Sequence, residues 1–389
     1  MAVRLRMRCP GAGRWNNDMD WQLIESDSAL AHLLDRAAGS RAVMVDTEFM
    51  RRNTFFPQVA LLQLCFEDGD AAGVAWLVDP LRIGDTSPLQ ALLASPAVVK
   101  VLHSASEDLE VFQNWLGVLP RPLFDTQRAA AMAGLEFGMG YSAVVAQLCG
   151  EELPKGETRS DWLQRPLTES QCHYAAQDVI YLLPVYRELE RRCRELDRLD
   201  WVLEDGETAT RTLATAAPDY FRKIKSAWKL QPRQLAVLRA VCDWREATAR
   251  HRDKPRGWII DDKACLQLAQ VMPQDFQQLR ARVELPPAVL RRQGETLLEL
   301  VAEQLQLPEA ELPDQLPAPL DARQRDQLKR TKQRVCAIAE GLGVAPQVLL
   351  AARDYETLLR GSAQEPDYWQ GWRKACVIEP LREFARDKG

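Results

Sequence analysis

The sequence lacks the marks of several protein classes. Its nine cysteines never fall as Cys-x-x-Cys, so the spacing builds neither a zinc site nor a disulfide framework. Reduced thiols in a reducing compartment are the expectation. No run of 18 apolar residues exists, which leaves nothing to span a membrane. In the first residues arginines alternate with apolar side chains before Pro10-Gly11-Ala12-Gly13, without the apolar stretch of a signal peptide. A Gly-x-Ser-x-Gly elbow and a His-Glu-x-x-His helix are both missing, which removes support for serine- and zinc-type hydrolases. A basic excess is missing too: the formal net charge is −5, so any contact with nucleic acid must come from local patches. These absences predict a soluble, cytoplasmic protein.

What is present divides along the chain. At 389 residues, two or three domains are expected, with a core large enough to need no cross-links. Residues 1–18 read as a flexible tail. Buried strands are predicted over Ala42–Val45, Gln58–Phe66, Ala75–Asp79 and Val98–Leu102, and helices over Glu107–Trp115 and near 125–134, 141–149 and 168–195. Strands followed by mostly helices give an α/β domain with a mixed sheet over 19–203. Residues 204–218 are short of large apolar side chains and end in Pro218, a linker signal. Beyond them strand signals nearly vanish. Leu235, Leu238, Val241 and Trp244 recur at helical spacing, and Leu266, Leu268 and Ala269 form another apolar cluster. Prolines 308, 313, 317 and 319 suggest a further boundary, giving all-helical domains over 219–307 and 308–389.

Four carboxylates and a tyrosine stand out. Asp46 and Glu48, in Val-Met-Val-Asp-Thr-Glu-Phe, are two apart on an apolar strand and so share a face. Two buried acids repel and are desolvated unless a divalent cation offsets both; the alternative is a solvated strand end. Asp108 opens the helix after Val98–Leu102. Acids are favoured there for dipole reasons alone, and Glu107 and Glu110 flank it, so the residues themselves leave its role open. Thr168 with Gln171 reads as a capping box. In the helix that follows, Tyr174 and Asp178 lie about 400° apart, one turn along a common face. His173 competes for the same role, but five residues, about 500°, rotate it off that face and favour Tyr174. Oxygen-rich sites of this kind suit Mg²⁺ or Mn²⁺, and a pair of such ions is the usual apparatus for cutting phosphodiesters.

These residues carry a resemblance. Asp46-Thr47-Glu48, Asp108 and Tyr174-x-x-x-Asp178 are similar, in order and spacing, to the three motifs of the DEDD superfamily of 3′→5′ exonucleases, tyrosine subclass. His103–Phe112 and Arg159-Ser160-Asp161-Trp162-Leu163-Gln164-Arg165-Pro166-Leu167-Thr168 through Asp178-Val179 resemble the ribonuclease D family in particular. Leu238…Trp244-Arg245-Glu246…Ala249-Arg250…Asp253-x-Pro255…Ile260-x-Asp262…Leu266 resembles an HRDC domain, a helical nucleic-acid-binding module. The resemblance covers about 21–300. It implies a ribonuclease H-like exonuclease domain, an HRDC domain over 219–307 and a diverged HRDC-like domain over 308–389. It implies that Asp46 bridges two Mg²⁺ or Mn²⁺ ions, that Glu48 and Asp178 complete the first site, and that Asp108 holds the second. One ion would generate the attacking hydroxide and the other would stabilise the leaving 3′-oxygen. Tyr174 would orient the water, since a phenol with an ordinary pKa of about 10 is a poor base near neutrality. Glu48 would also contact the terminal ribose. The implied activity is a 3′→5′ exoribonuclease, a monomer, that trims structured RNA precursors such as tRNA and releases nucleoside 5′-monophosphates.

Binding surfaces are less determined. Tyr220–Lys229 interleaves aromatics with bases, which offers Lys223, Lys225, Trp228 and Lys229 for backbone neutralisation and base stacking; a solvated face with core aromatics is the equal alternative. In 322–334 six basic residues face one acid, Asp326, a run more often solvated than RNA-binding. Arg121, Arg128, Lys155 and Arg159 are offered as substrate-entrance residues. Gly138-x-Gly140-x-x-Ala143 imitates a dinucleotide fingerprint but follows helical sequence, so it reads as a loop and helix start. Rival functions are a 3′→5′ DNA exonuclease and a noncatalytic nucleic-acid-binding scaffold.

Overall fold

The computed structural model describes residues 20–154, 156–157, 160–215, 219–361 and 365–386. The expected tail at 1–18 lies outside them. Two compact units emerge. Among the described residues the first holds 20–50, 58–215 and 322–386, and the second holds 51–57 and 219–321.

The first unit is built on six strands: β1 (Trp21–Ile24), β2 (Ala42–Met50), β3 (Gln58–Phe66), β4 (Ala75–Val78), β5 (Val99–Leu102) and β6 (Leu123–Asp125). They are ordered β1-β4-β3-β2-β5-β6. The β2–β3 and β3–β4 pairs are antiparallel and the other three parallel, the mixed sheet expected. Alternation along the strands makes two cores. Val43, Val45, Leu62 and Leu64 pack with α1 (Asp27–Arg36), α2 (Ser87–Ala94) and α3 (Ser106–Trp115). Met44, Leu61 and Cys65 pack on the opposite face with α4 (Thr126–Met132), α5 (Tyr141–Cys149), α6 (Glu169–Ile180) and α7 (Leu182–Glu195). The segment expected as one helix over 168–195 breaks at Tyr181, because Pro184 has no N–H for the carbonyl a turn before it.

Two expectations are corrected here. Residues 204–215 are not a linker but the end of α8 (Leu199–Thr215). Their small side chains allow close packing: a Cβ on Gly206 would lie 2.1 Å from the Leu123 carbonyl oxygen of β6. Residues 322–386 do not form a body of their own. Val335, Ala339, Val348 and Trp372 share the core of α4 to α7. Asp205 of α8 is the polar anchor: it accepts from Arg373 through both oxygens, from Arg128 Nη2 at 3.0 Å and from Trp372 Nε1 at 3.1 Å. Trp372 also stacks on Trp201, with ring centroids 4.6 Å apart.

The second unit is helical: α9 (Pro232–Arg252), α10 (Arg256–Ile259), α11 (Asp262–Val271), α12 (Phe276–Arg282) and α13 (Pro287–Leu305). Leu235, Leu238, Val241, Leu268 and Ala269 are buried in its core. The β2–β3 loop belongs to it. Asp253 Oδ1 accepts from the backbone N–H groups of Phe55 and Phe56 at 2.8 and 3.0 Å. The Phe55 ring lies under the guanidinium groups of Arg250 and Arg256. Among the described residues no helix is long and apolar enough to cross a membrane.

Replacing Asp205 with Ala leaves the buried Arg373 cation without its carboxylate. The expected loss of stability is about 3–5 kcal/mol, read as a lowered midpoint in thermal or urea unfolding.

Candidate active site

Strand β2 carries Asp46 and Glu48 to the face covered by α6, and a register shift after Glu48 bends the strand away. Helix α6 begins at the predicted capping box: Thr168 Oγ1 accepts from the Gln171 N–H at 3.2 Å, and Gln171 Oε1 accepts from the Thr168 N–H at 3.0 Å. The helix delivers Asp178, so that one oxygen from each of Asp46, Glu48 and Asp178 lies within 4.8 Å of the others. Asp108, on α3, stands outside this trio. Its Oδ1 accepts from Thr47 Oγ1 at 2.5 Å, and the start of its helix is held by Asp125, which accepts from the Ser104 and Ala105 N–H groups.

The electrostatics follow from burial. Removal from water raises every one of these acids. Glu48 is pushed up to about 9, first by burial and then by Asp178 and Asp108. Asp108 and Asp178 are each pushed to about 7 by burial. Asp46 is raised well above the carboxylate range by burial, with the charges of Asp108, Asp178 and Glu48 adding to it. Such a group is a poor arrangement for free carboxylates and a good one for a hard divalent cation, whose charge reverses each of these effects. The donor set, all oxygen, fits that cation.

Tyr174 stands half-buried one turn before Asp178, and burial and the nearby acids raise its phenol. Its ring lies 6.0 Å from that of Trp162, centroid to centroid. Trp162 is itself fixed by Arg165, which bonds the Trp162 carbonyl, the Ala60 carbonyl and both oxygens of Asp79. His173 points elsewhere, toward Trp21 of β1 and Glu169.

Sequence reasoning passed over three residues here. Gly156 lies so close to Tyr174 that a Cβ on it would sit 1.9 Å from the ring. Tyr141 donates to the Gln177 carbonyl at 2.9 Å, and burial, then the charges of Asp178 and Asp46, raise its phenol. Gln63 is the cross-strand partner of Asp46. No motif marks any of them, since each matters through a non-local neighbour.

The candidate binding residues are scattered. Lys155 and Arg159 lie outside the described residues. Arg121 bonds Thr210 and pairs with Glu207, and Arg128 pairs with Asp205. In the second unit Phe221 is buried and Trp228 packs partly into the core, while Lys223, Lys225 and Lys229 are exposed. Lys223 lies over the Tyr220 ring and Lys229 over the Trp228 ring. The basic run sits on α14 (Ala322–Leu342), with all six basic side chains exposed. The exposed indole of the second unit is instead Trp258 of α10, at 63 % of its full surface, a few residues after the exposed Arg252 and Lys254.

Comparison with known proteins draws these features together. The 3′-5′ exonuclease family profile matches residues 21–194, and the HRDC domain profile matches 234–301. Ribonuclease D of Pseudomonas paraeruginosa is 42% identical over 367 residues, 92% of this chain and 96% of that protein. The chain belongs to the ribonuclease D family. Ribonuclease D of Escherichia coli is 36% identical over 95% of this chain and 99% of its own. The crystal structure of that protein, described as an exoribonuclease involved in structured RNA processing, superposes with a TM-score of 0.87 over 95% of this chain and 99% of that one. The catalytic class is that of a hydrolytic 3′→5′ exoribonuclease using divalent metal.

Two expected outcomes follow from the geometry. In the metal-free protein, Asp108 and Asp178 at about 7 and Glu48 at about 9 keep protons that ordinary carboxylates of the unfolded chain have released. Stability should therefore rise as pH falls from about 9 toward 5 and be lost as pH climbs through those values. Melts in chelator across that range check the sign, and saturating Mg²⁺ should flatten the curve. Second, Gly156→Ala should push the Tyr174 ring aside and lower turnover by up to about 100-fold, with Mn²⁺ affinity kept, as paired kinetic and metal-binding titrations would reveal.

Proposed function

We propose that this protein trims the 3′ ends of structured RNA precursors such as tRNA, as a monomer, with two Mg²⁺ or Mn²⁺ ions. The observation that carries the reading is the convergence of Asp46, Glu48 and Asp178 beside Asp108, with Tyr174 one turn from Asp178. Asp46, Glu48 and Asp178 would hold one ion, and Asp108 would help to hold the other. When bound, the ions supply an acidified water and charge stabilisation of the leaving 3′-oxygen. The protein's own groups do the rest. Tyr174, held protonated, orients the attacking water through its hydroxyl. Glu48 contacts the terminal ribose and so confines cutting to the 3′ end. Lys155 and Arg159 are the residues offered by the first unit's sequence for contact with RNA, and Lys223, Lys225, Trp228 and Lys229 those offered by the second, by charge and stacking. Intact acids at all four positions, together with the family, favour this reading over a DNA exonuclease or an inert scaffold.

The test is digestion of a 5′-labelled RNA with and without Mg²⁺ or Mn²⁺. The wild-type protein should give a metal-dependent ladder shortening from the 3′ end. Asp46→Asn and Asp178→Asn should abolish it while still shifting RNA on a gel; full activity in either variant would sink the assignment. Tyr174→Phe should lower turnover roughly 100-fold, whereas His173→Ala should change it little.

A further inference from the structure

Gln63 stands in the middle of β3, is completely buried, and has no hydrogen-bond partner for either Oε1 or Nε2 among the described residues. It is the one buried side chain among them left with both polar atoms unpaired. An amide in that state costs stability, and an apolar residue of the same shape would not. Sequence-level patterning therefore wants a Leu or Met here, between Leu61 and Cys65 on the same face of the strand.

Its surroundings identify what the amide is for. In the β3–β4 register Gln63 opposes Leu77, an apolar neighbour. In the β2–β3 register it opposes Asp46. Directly opposed residues of an antiparallel pair share a face with Cβ atoms about 4.5–5.5 Å apart. The polar neighbour that the sheet offers Gln63 is thus the carboxylate placed at the centre of the metal site. A carboxylate that ligates a cation has lone pairs left over, and their hydrogen-bond donors set its orientation and its affinity for the ion.

We infer that Gln63 is a positioning residue for Asp46: its Nε2–H group is kept unspent in the metal-free fold and donates to the Asp46 carboxylate when a divalent cation is held there. This rests on the reading of Asp46 as a metal ligand. Gln63 touches neither substrate nor the reacting atoms; it fixes the ligand that does.

The inference separates stability from metal binding, which move together for an ordinary core residue. Gln63→Met keeps length and shape and removes the amide, and Gln63→Leu repeats the change with a different packing. The metal-free variants should melt a few degrees higher than the wild-type protein. Their affinity for Mn²⁺, read from the free-ion signal in electron paramagnetic resonance, should fall by about 10- to 100-fold. A lowered melting temperature in both metal-free variants would overturn the inference, because the amide would then be satisfied in the core. Mn²⁺ affinity within twofold of wild type would overturn it equally. A wild-type protein that binds no Mn²⁺ and shortens no RNA would overturn both this inference and the reading of Asp46 on which it rests.

Discussion

Like charges brought together out of water set the terms for the rest of this fold. Asp46, Glu48 and Asp178 cannot hold one another in place, since each makes its neighbours harder to ionise. Rigid elements must impose their proximity. Two come from one strand in a sheet with neighbours on both sides, and one from a helix whose first turn is fixed by a reciprocal cap. The surrounding ion pairs are spent on holding those elements. Arg165 ties the chain before α6 to β3 and to Asp79, the residue after β4, and Asp125 at the end of β6 ties down the chain before α3.

The same logic explains why so much charge is buried in a chain with an ordinary composition. Asp79 with Arg165 and Asp205 with Arg373 are paired through two hydrogen bonds each, a geometry that only an arginine fork provides. Each joins segments far apart in the chain.

Much of this was legible in the sequence, and the parts that were not share a cause. Long apolar strands such as Gln58–Phe66 announce themselves, and so do Tyr174 and Asp178, because four-residue spacing on a capped helix has one geometric meaning. The edge strands Trp21–Ile24 and Leu123–Asp125 are too short to show a period. The small side chains of 204–215 suggest a linker, but Gly206 among them serves the close approach of α8 to β6. Gly156, Gln63 and Trp258 take their meaning from neighbours or exposure that no local window contains. The grouping of 322–386 with the catalytic sheet is of the same kind: the prolines near 308–319 say nothing of what the next helices pack against.

That grouping has a consequence for biosynthesis. All five catalytic candidates have left the ribosome once Asp178 has emerged, but the helices that cover α4 and stack on Trp201 are encoded after an entire helical unit. At ordinary translation rates the interval is on the order of ten seconds. During it the nascent chain carries a complete set of acids on a sheet whose outer helices still expose apolar surface. A core that draws on residues 322–386 cannot close before they are made, and a chain terminated ahead of them is left with an exposed core for chaperones and proteases to find.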